Sequence, residues 1–410
     1  MASSASNSAL EVLRARGFVQ QISDEAELGR RLASDAVTFY AGFDPTAPSL
    51  HVGHYIPLLA MAHLARAGHK AIAVLGGGTA MVGDPSGKSE MRQLITQEAI
   101  QSNRRQIEPQ VRRIIGDNAA VVDNADWLLP LNYVAFLRDI GRHFSVNRML
   151  AAEAYKLRLE KGLSFIEFNY QLLQAYDFLV LNERYGCALQ IGGDDQWGNI
   201  VAGIDLIRRV RQADAFGLTF PLLTTGSGAK MGKTATGAVW LDPNLTKPYD
   251  FYQYFVNVDD RDVIRFLKLL TFEPVDEIAR YAALEGAELR EAKHALAHAI
   301  TTIVHGSAAA DEARHAAKAA FGGGGADDAT VPTFVVDSGQ AGSGIKIVDL
   351  LALSGLAASR SAARRLIEQG GVRFGDRKIA SIDDTVTAGD IGGGTLLYAG
   401  KKHLRRIIVG

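Results

Sequence analysis

Two histidines stand three residues apart at the start of an apolar stretch. They are His51 and His54 in the segment FDPTAPSLHVGH, residues 43–54, and the run that follows them has the character of a helix. Histidines at the start of a helix could bind a metal, cap the helix or hold a phosphate, because a helix N-terminus favours anions. From these residues alone, all three interpretations remain open.

A glycine-rich loop with two lysines follows much later in the chain. It reads GSGAKMGKTATG, residues 226–237, and contains Lys230 and Lys233. Glycines make such a loop deformable, so two ammonium groups three residues apart could close on a polyphosphate. Lysines in loops are also often simply solvated, and this stretch alone favours that plainer interpretation.

The segment VGDPSGKS, residues 82–89, is close to a phosphate-binding P-loop. It has one residue too few between its first glycine and its Gly-Lys pair, so the motif is not met. The segment still offers Asp84 and Lys88 in a turn, with Arg92 four residues further on. A surface loop is the alternative.

The segment IGGDDQWGN, residues 191–199, ends a predicted strand and opens a helix. Gly193 lets a ligand approach the backbone closely, and the Asp195 carboxylate could accept hydrogen bonds from ribose hydroxyls, as in dinucleotide folds. Either Asp194 or Asp195 could instead cap the helix.

Metal binding has little support elsewhere in the chain. A zinc site would need a third and a fourth ligand, and His294, His298 and His305 lie in a different helical region. Cys187 is the single cysteine, so four cysteine ligands and an intrachain disulfide are excluded. We therefore predict no metal held by the protein's own residues.

One polar stripe lies within an otherwise apolar helical segment. In FNYQLLQAYDFL, residues 168–179, Tyr170, Gln174 and Asp177 are spaced i, i+4 and i+7. This spacing places them on one face of one helix. The stripe could line a pocket, although a polar stripe usually faces water.

Short β-branched or aromatic runs alternate with helical patterns in the first half of the chain, which predicts a parallel, Rossmann-like α/β sheet with helices on both faces. Ligands in such sheets bind beyond the carboxyl ends of the strands, where these glycine-rich stretches lie. The predicted strands cover residues 37–43, 70–78 and 119–127 and begin again at residue 189, and a helix is predicted over 56–68.

The remaining organisation is read from composition. We expect a Rossmann-like α/β domain over residues 1–245, an α-helical domain over 246–321, a glycine-rich linker over 322–344 and a small α+β domain over 345–410. The last region carries eleven Lys and Arg against six Asp and Glu, whereas the whole 410-residue chain has a net charge of −1. A basic module suggests a polyanion partner.

Compartment is predicted from cysteine usage and from the absence of targeting signals. One cysteine and no signal peptide fit a reducing compartment, and no apolar run is long enough to span a bilayer. We therefore expect a cytoplasmic protein without membrane contact.

Five motifs together carry a family resemblance. YAGFDPTAPSLHVGH, GDPSGK, QAYDF, GGDDQWGN and KMGKT resemble, in order and spacing, those of the bacterial tyrosyl-tRNA synthetases, which are class I aminoacyl-tRNA synthetases. The resemblance covers essentially the whole chain, and the C-terminal module is similar to an RNA-binding domain of a small-subunit ribosomal protein. The chain departs from the pattern at Gly232, Thr234, Asp194 and Pro57.

The resemblance implies a reaction in two steps. L-tyrosine would attack the α-phosphate of ATP to give tyrosyl-adenylate and pyrophosphate, and the terminal adenosine of tRNA(Tyr) would then accept the tyrosyl group. ATP would be a substrate accompanied by Mg²⁺, tRNA would bind the helical and C-terminal domains, and the protein would be a homodimer. Catalysis would consist of positioning and charge stabilisation, without an enzyme nucleophile.

The resemblance also implies roles for individual residues. The residues expected at the phosphates are Thr46, His51, Lys88, Arg92, Lys230 and Lys233. Those expected at the nucleoside or elsewhere in the ATP site are His54, Asp195, Asp44, Gly42, Gly53 and Gly193. Those expected around tyrosine are Tyr170, Gln174 and Asp84 at the ammonium, Tyr40 and Asp177 at the phenolic hydroxyl, and Gln190.

Two departures bear on ATP binding. Asp194 adds a charge near the nucleotide and is expected to weaken ATP binding. Pro57 lacks an N–H and is expected to kink the helix or to shift its start.

Basic residues in the last domain fit RNA. Phosphate contacts from them would position the tRNA and would be sensitive to salt, although the same residues could form a solvated face. They are Arg360, Arg364, Arg365, Lys401, Lys402, Arg405 and Arg406.

Three alternatives remain on the sequence. A tryptophanyl-tRNA synthetase would share the core but would normally lack the C-terminal module and the Tyr40 and Asp177 pair. Another nucleotidyltransferase with an HxGH motif would be shorter and would lack the KMGKT loop. A non-catalytic RNA-binding protein would not need the three site motifs together.

Overall fold

The computed structural model describes residues 8–86, 95–151, 155, 159–160, 162–226, 231–234, 237–286, 288–321, 331–400 and 403–410, without the side chains of residues 233, 234 and 319–321. The chain divides into two compact units. The first unit comprises Met1–Gly232, Trp240–Leu245 and Asp259–Leu289, and the second comprises Lys233–Val239, Thr246–Val258 and Arg290–Gly410.

The first unit is built on a six-stranded sheet in the order β1-β6-β5-β2-β3-β4. All neighbouring strands pair in parallel except β1 and β6, which are antiparallel. The strands are β1 Gln21–Ile22, β2 Thr38–Phe43, β3 Lys70–Leu75, β4 Ala120–Asp123, β5 Leu189–Gly193 and β6 Phe216–Phe220. The α/β fold predicted from the alternation of strand and helix patterns is therefore confirmed.

The sheet order explains where a ligand can bind. From β2 the chain adds β3 and β4 on one side and then returns to add β5 on the other side of β2. The connections beyond the carboxyl ends of β2 and β5 thus diverge, and this topological switch point leaves a crevice. The central strands form because their residues are largely apolar and can be covered on both faces, as in β3, where Ala71–Leu75 are all buried.

Helices connect the strands of this sheet, and the helix predicted over 56–68 is observed as Val52–Arg66. Those of the first unit are Ala9–Arg16, Glu25–Ser34, Val52–Arg66, Gln97–Ile115, Ala125–Leu128, Tyr133–Asp139, Val146–Leu150, Phe165–Tyr185, Trp197–Arg211, Val263–Leu270 and Val275–Ala279. Short 3-10 turns cover Thr79–Met81, Gly141–His143, Asp194–Gln196, Asp260–Asp262 and Arg280–Ala283. No helix in the described part of the chain combines the length and apolar character that a bilayer crossing requires.

The second unit combines helices with a small C-terminal module. Its helices are Pro248–Val256, Leu289–His305 (which begins at the last residue of the first unit), Ser307–Phe321, Ser338–Ser343, Ile347–Leu353, Arg360–Glu368 and Ala388–Ile391. Its strands are β7 Lys233–Thr234, β8 Gly237–Ala238, β9 Thr333–Val336, β10 Ile345–Lys346, β11 Val372–Phe374, β12 Arg377–Lys378, β13 Thr385–Val386, β14 Thr395–Ala399 and β15 His403–Val409. The five-stranded sheet has the order β12-β11-β14-β15-β9.

Two segments differ from the predicted domain organisation. The linker expected over 322–344 is shorter, because Thr333–Val336 pairs in parallel with β15 and Ser338–Ser343 forms a helix. Val336 and Ala341 are buried in the core of the C-terminal module. In addition, Asp259–Leu289, which was assigned to the helical domain, clusters with the first unit.

One ion pair links the last strand to a helix within the second unit. Arg405 of β15 lies 2.6 Å from Asp250 in the helix Pro248–Val256, and both side chains are largely buried. Arg405 was predicted as an RNA contact, and its guanidinium instead has a carboxylate partner inside the protein.

Candidate functional site

A cavity of about 380 Å³ opens beyond the carboxyl ends of β2 and β5 in the first unit. Fourteen of the predicted site residues come together there. Its lining includes Tyr40, Gly42, Asp44, Thr46, His51, Gly53, His54, Asp84, Tyr170, Gln174, Asp177, Gln190, Gly193 and Asp195. Lys88, Arg92 and Lys230 lie outside the described residues, as does the side chain of Lys233.

One end of the cavity contains a buried carboxylate held by two donors. The indole Nε1–H of Trp127 donates to Oδ1 of Asp177 at 2.7 Å, and the amide of Asn124 donates to Oδ2 at 2.9 Å. Burial raises the pKa of Asp177 to about 7, the two donors oppose that shift, and the nearby Asp44 and Asp123 carboxylates add to it. A carboxyl group that titrates near neutral pH is thus buried and held between two donors.

Two polar atoms at this end are buried and have no hydrogen-bond partner among the described residues: the Tyr40 hydroxyl and Oε1 of Gln190. Both residues lie in the cavity lining, and their exposures are only 2% and 3%. Buried polar groups in proteins are nearly always paired, so these two atoms mark a place for a polar ligand group. Desolvation raises the pKa of Tyr40, with the Asp177 charge adding to the shift, so its hydroxyl remains protonated.

A second carboxylate in the cavity, Asp44, is held at both oxygens. Its Oδ2 accepts a hydrogen bond from the Tyr170 hydroxyl at 2.9 Å, and its Oδ1 accepts one from the Thr79 hydroxyl at 2.7 Å. Asp44 was predicted as an ATP residue, and these bonds connect it to Tyr170, which was predicted at the substrate ammonium.

The Asp84 carboxylate belongs to a neighbouring network. Its Oδ2 accepts from the Gln196 amide at 2.7 Å, and its Oδ1 accepts from the backbone N–H of Ser86 at 2.9 Å. The Asn199 amide donates to Oε1 of Gln174 at 3.0 Å and to Oε1 of Gln196 at 3.2 Å. Asn199 therefore orients the two glutamines, and Gln196 in turn holds Asp84.

The two histidines of HVGH cap the helix Val52–Arg66. Nδ1 of His51 accepts from the backbone N–H of Gly53 at 2.9 Å, and Nδ1 of His54 accepts from the backbone N–H of His51 at 3.3 Å. A neutral imidazole that accepts at Nδ1 carries its proton at Nε2, so both rings have an N–H donor on the far side. Capping and anion binding are thus compatible for both residues.

Gly53 is required by the cap itself. A Cβ at this position would lie 2.7 Å from Cε1 and 2.9 Å from Nδ1 of His51. Any larger residue would therefore displace the His51 ring from the helix N-terminus. The His51 ring occupies the space that a side chain at position 53 would need. This requirement for glycine is separate from the role in nucleotide binding that is expected of Gly53.

Pro57 was expected either to kink the helix or to shift its start, and the structure shows no shift of the start. The helix begins at Val52 and includes Pro57 in its second turn. Because the preceding residues already form the first turn, the missing Pro57 N–H removes only the bond to the Gly53 carbonyl. Pro57 itself lies in the cavity lining.

Gly232 of the KMGKT segment lies beside the start of this helix. Met231 is buried, and its backbone N–H donates to the Leu223 carbonyl at 2.9 Å. Gly232 has a φ of +83°, and a Cβ there would lie 3.2 Å from Cβ of Val52. Glycine at this departure from the family pattern is therefore explained by its left-handed backbone and close packing.

The two adjacent aspartates at the end of β5 have different environments. Oδ1 of Asp194 accepts from the Gln21 amide at 2.6 Å and from the Thr219 hydroxyl at 3.0 Å, on the first and sixth strands. Asp195 lies in the cavity lining, whereas Asp194 does not. The expected weakening of ATP binding by Asp194 thus has no support from its position, since its carboxylate binds neighbouring strands.

Sequence reasoning missed several residues that hold the site together: Thr79, Ser86, Asn124, Trp127, Gln196 and Asn199. Thr79 comes directly after the predicted strand 70–78, and that position was a usable signal, because ligand-binding residues of parallel sheets concentrate at strand ends. Asn124 and Trp127 lie inside the strand predicted over 119–127. They follow β4 only in the structure, where the strand ends at Asp123. No group of three His, Cys, Asp or Glu side chains among the described residues could hold a metal.

Comparisons with known proteins agree along the chain. Residues 33–322 match the family model described as tRNA synthetases class I (W and Y), and residues 345–391 match the S4 domain model. A tyrosine–tRNA ligase of Clostridium botulinum (strain Eklund 17B / Type B) is 52% identical over 402 residues, which is 97% of this chain and 98% of the relative. A second, from strain 657 / Type Ba4, is 50% identical over 403 residues, with the same two coverages.

Solved structures show the same similarity. A C-terminally truncated mitochondrial tyrosyl-tRNA synthetase of Aspergillus nidulans has a TM-score of 0.68 and 32% identity, covering 76% of this chain and 93% of its own. A tryptophanyl-tRNA synthetase of Encephalitozoon cuniculi, covering 74% of this chain and 86% of its own, has a TM-score of 0.55 at 14% identity, a likeness of fold alone.

Proposed function

The chain belongs to the tyrosine–tRNA ligases of the class I aminoacyl-tRNA synthetases, and we propose that the cavity beyond β2 and β5 is its site for tyrosine and ATP. Such an enzyme activates L-tyrosine with ATP to tyrosyl-adenylate and pyrophosphate and then transfers the tyrosyl group to the 3′-terminal adenosine of tRNA(Tyr). The tryptophan-specific alternative is not supported, because the highly identical relatives are tyrosine enzymes.

One observation carries the proposed site: the Tyr40 hydroxyl, which has no hydrogen-bond partner among the described residues, and the Asp177 carboxylate, which two donors orient, both lie in the cavity lining. The phenolic hydroxyl of the substrate would donate to Asp177 and bond the Tyr40 hydroxyl, which has no partner in the described part of the protein. Trp127 and Asn124 keep the Asp177 carboxylate aimed while it is buried. Phenylalanine would leave the Tyr40 hydroxyl unpaired and would give Asp177 no donor beyond Trp127 and Asn124, and that penalty would give specificity without an editing step.

The substrate ammonium would bind among oxygen acceptors at the other end. We propose that it contacts the Tyr170 hydroxyl, Oε1 of Gln174 and the Asp84 carboxylate. Each of these groups is oriented by a neighbour: Tyr170 by Asp44, Gln174 by Asn199 and Asp84 by Gln196. Preorganised acceptors bind an ammonium without reorganising when it arrives.

ATP would bind with its phosphates at the start of the helix Val52–Arg66. Thr46, His51 and His54 line the cavity there, and the capped tautomers of the histidines carry N–H donors at Nε2. As tyrosine attacks the α-phosphate, charge grows on the leaving pyrophosphate, and donors that contact it most strongly at that moment raise the rate. We assign Lys88, Arg92, Lys230 and Lys233 to the same task from their motifs.

The nucleoside would occupy the part of the cavity at the β5 end. Asp195 would accept the ribose hydroxyls, and Gly42, Gly53 and Gly193 would admit the nucleotide close to the backbone. A Cβ on Gly42 would meet no atom within 4 Å, so the space above it is open to a ligand. We propose that Mg²⁺ arrives bound to the ATP phosphates, because Mg²⁺ is usually bound by substrate phosphates and water rather than by an all-protein cage.

The tRNA would bind through the second unit. Its S4 domain match covers residues 345–391, and Arg364 and Arg365 lie on the helix Arg360–Glu368. Arg360 on the same helix is paired with Asp349 at 2.6 Å, so it is a weaker candidate for a phosphate contact.

We propose the cytoplasm as the working compartment, where a chain with one buried cysteine needs no disulfide.

We also propose a homodimer formed by the first unit. Large exposed apolar side chains concentrate between residues 129 and 166, and among them Val134 and Phe165 are 72% and 70% exposed. Burying such side chains against a second copy would be favourable. Sedimentation of Phe165→Glu should show monomers, with Val335→Glu in the second unit as the matched control, and an unchanged dimer would contradict this interface.

Tyrosine-dependent exchange of pyrophosphate into ATP tests the function directly. The expected result is exchange that depends on tyrosine and responds little to phenylalanine or tryptophan. An equal response to either of those amino acids would refute the specificity that we assign to Tyr40 and Asp177.

A further inference from the structure

Thr79 lies between the two carboxylates of the proposed tyrosine site. It begins the 3-10 turn after β3, and its side chain is buried. Its hydroxyl donates to Oδ1 of Asp44 at 2.7 Å and accepts from the amide of Asn124 at 2.9 Å. A threonine hydroxyl has one proton, so this donor is committed to Asp44.

These two bonds are the middle of a longer series of hydrogen bonds. On one side, the second oxygen of Asp44 accepts from the Tyr170 hydroxyl at 2.9 Å. On the other side, the Asn124 amide also donates to Asp177 at 2.9 Å. This series of hydrogen bonds therefore connects Tyr170, which is assigned to the substrate ammonium, with Asp177, which is assigned to the phenolic hydroxyl.

The direction of every bond in this chain is determined. Oδ1 of Asn124 accepts from the backbone N–H groups of Gly78 at 2.8 Å and Thr79 at 3.4 Å. The amide nitrogen of Asn124 must then face the Thr79 oxygen and the Asp177 carboxylate. Because Asn124 donates to Thr79, the Thr79 proton is left for Asp44, and both carboxylates remain acceptors.

The backbone at Gly76 leaves room for this arrangement. A Cβ on Gly76 would lie 2.0 Å from Oδ1 of Asp44 and 2.4 Å from Oγ1 of Thr79. The hydrogen-bonded oxygens of Asp44 and Thr79 thus occupy the space that a side chain at position 76 would need. The glycine turn GGGT after β3 is built around this bond.

We propose that Thr79 is a positioning residue for tyrosine, which holds Asp44 and through it the Tyr170 hydroxyl in place for the substrate ammonium. This inference rests on the site assigned under the proposed function. Without the Thr79 hydroxyl, Asp44 would lose a donor at Oδ1 and could rotate away from Tyr170. The loss would fall on the ammonium end of the substrate, because the bonds of Asp44 lead to Tyr170, and would leave in place the phosphate contacts proposed for Thr46, His51 and His54.

The test compares Thr79→Val with Thr79→Ser. Valine has nearly the same shape without the hydroxyl, whereas serine keeps it. We expect Thr79→Val to raise KM for tyrosine by about 10-fold or more in pyrophosphate exchange, because hydrogen bonds to charged groups are the stronger ones. KM for ATP should stay within about 2-fold, and Thr79→Ser should restore most of the tyrosine affinity.

A second measurement separates positioning from general damage. Calorimetric binding of 3-(4-hydroxyphenyl)propionate, which keeps the phenol and the carboxylate but lacks the ammonium, should be the same for wild type and Thr79→Val. Tyrosine and tyramine, which both have the ammonium, should bind the variant more weakly. Should Thr79→Val fail to fold, Thr79→Cys carries the same expectation, because a thiol is a weak donor and acceptor.

Equal losses for all three compounds, or no loss for any, would overturn the inference. So would a rise in KM for ATP as large as the rise for tyrosine. These results are distinct from a failure of the proposed function, in which the wild-type protein itself would show no tyrosine-dependent exchange.

Discussion

The indole N–H of Trp127 donates a 2.7 Å hydrogen bond to the buried carboxylate of Asp177, 50 positions further along the chain. The bond fixes which oxygen of Asp177 is engaged and opposes the effect of burial on its charge. With the Asn124 amide on the other oxygen, the carboxylate has a defined orientation toward the cavity. The recognition of a phenolic hydroxyl that we propose for Asp177 would depend on that orientation.

The raised pKa of Asp177 predicts a stability that falls as pH increases. Its pKa is about 7 in the folded protein and 3.8 as the ordinary value. Between roughly pH 4 and pH 7 the unfolded chain releases this proton first, so Asp177 lowers the unfolding free energy across that window, by roughly 4 kcal/mol at most. Asp177→Asn cannot titrate. Urea unfolding of both proteins at pH 5 and pH 8 should show the wild type losing stability relative to the variant, and parallel curves would contradict this.

Tyr40→Phe should stabilise the unliganded protein while weakening tyrosine binding. The Tyr40 hydroxyl is buried without a partner in the described part of the chain, so removing it relieves a desolvation cost of about 1 kcal/mol. Tyr55→Phe is the matched control, because the Tyr55 hydroxyl donates to the Leu270 carbonyl at 3.2 Å and its loss should destabilise. Thermal unfolding with and without tyrosine measures both effects. A less stable Tyr40→Phe would show that the hydroxyl has a partner.

Two glycines of the cavity should respond to alanine in different ways. A Cβ on Gly42 meets nothing within 4 Å, so Gly42→Ala should keep the thermal stability and raise KM for ATP by filling cavity space. A Cβ on Gly53 lies 2.7 Å from the His51 ring, so Gly53→Ala should displace the cap and lower both stability and rate. Melting curves and exchange kinetics distinguish the two, and identical behaviour would refute the assignment.

His54→Ala should slow adenylate formation far more than it weakens tyrosine binding. Its ring caps the helix N-terminus through Nδ1 and has its proton at Nε2, where a phosphate could accept it. Loss of one donor to developing charge costs about 100-fold in rate. We expect the same pattern for Lys233→Ala. Single-turnover adenylate formation and equilibrium tyrosine binding give the comparison, and unchanged single-turnover rates would exclude these roles.

Truncation after Phe321 should abolish tRNA charging and leave pyrophosphate exchange largely intact. The residues that line the cavity all belong to the first unit, whereas the truncation removes β9 to β15 and the S4 region from the second. The pair Arg364→Glu and Arg365→Glu in the full chain is a milder test and should raise KM for tRNA. Full-rate charging by the truncated protein would show that this module is not needed for tRNA.

The helix face of the tyrosine site was predictable because its geometry is local. Tyr170, Gln174 and Asp177 all line the cavity, as their i, i+4 and i+7 spacing predicted. A helix has 3.6 residues per turn wherever it lies, so spacing alone decides which side chains share a face. The strands β2, β3 and β5 and their glycine-rich ends were predictable from local composition. The strands β1 and β6 were not predicted, and the strand predicted over 119–127 ends at Asp123.

The contacts that aim these side chains were not predictable. Asp44 and Tyr170 are 126 positions apart, and Trp127 and Asp177 are 50 apart. No residue type or spacing predicts such a pair, because the two residues come together only after strands from distant parts of the chain have formed one sheet. The strand Thr333–Val336 was missed likewise, since its partner β15 lies at the end of the chain.

Asp194 and Asp195 show where the two kinds of information divide. The sequence by itself determined that two carboxylates follow a glycine pair at a strand end, and which family this chain resembles. Only the tertiary structure decided that Asp194 binds Gln21 and Thr219 while Asp195 lines the cavity. A side chain's direction depends on which partners lie within hydrogen-bond distance. Those partners come from β6, which pairs with β5, and from β1 on the far side of β6, and only the folded sheet brings them near Asp194.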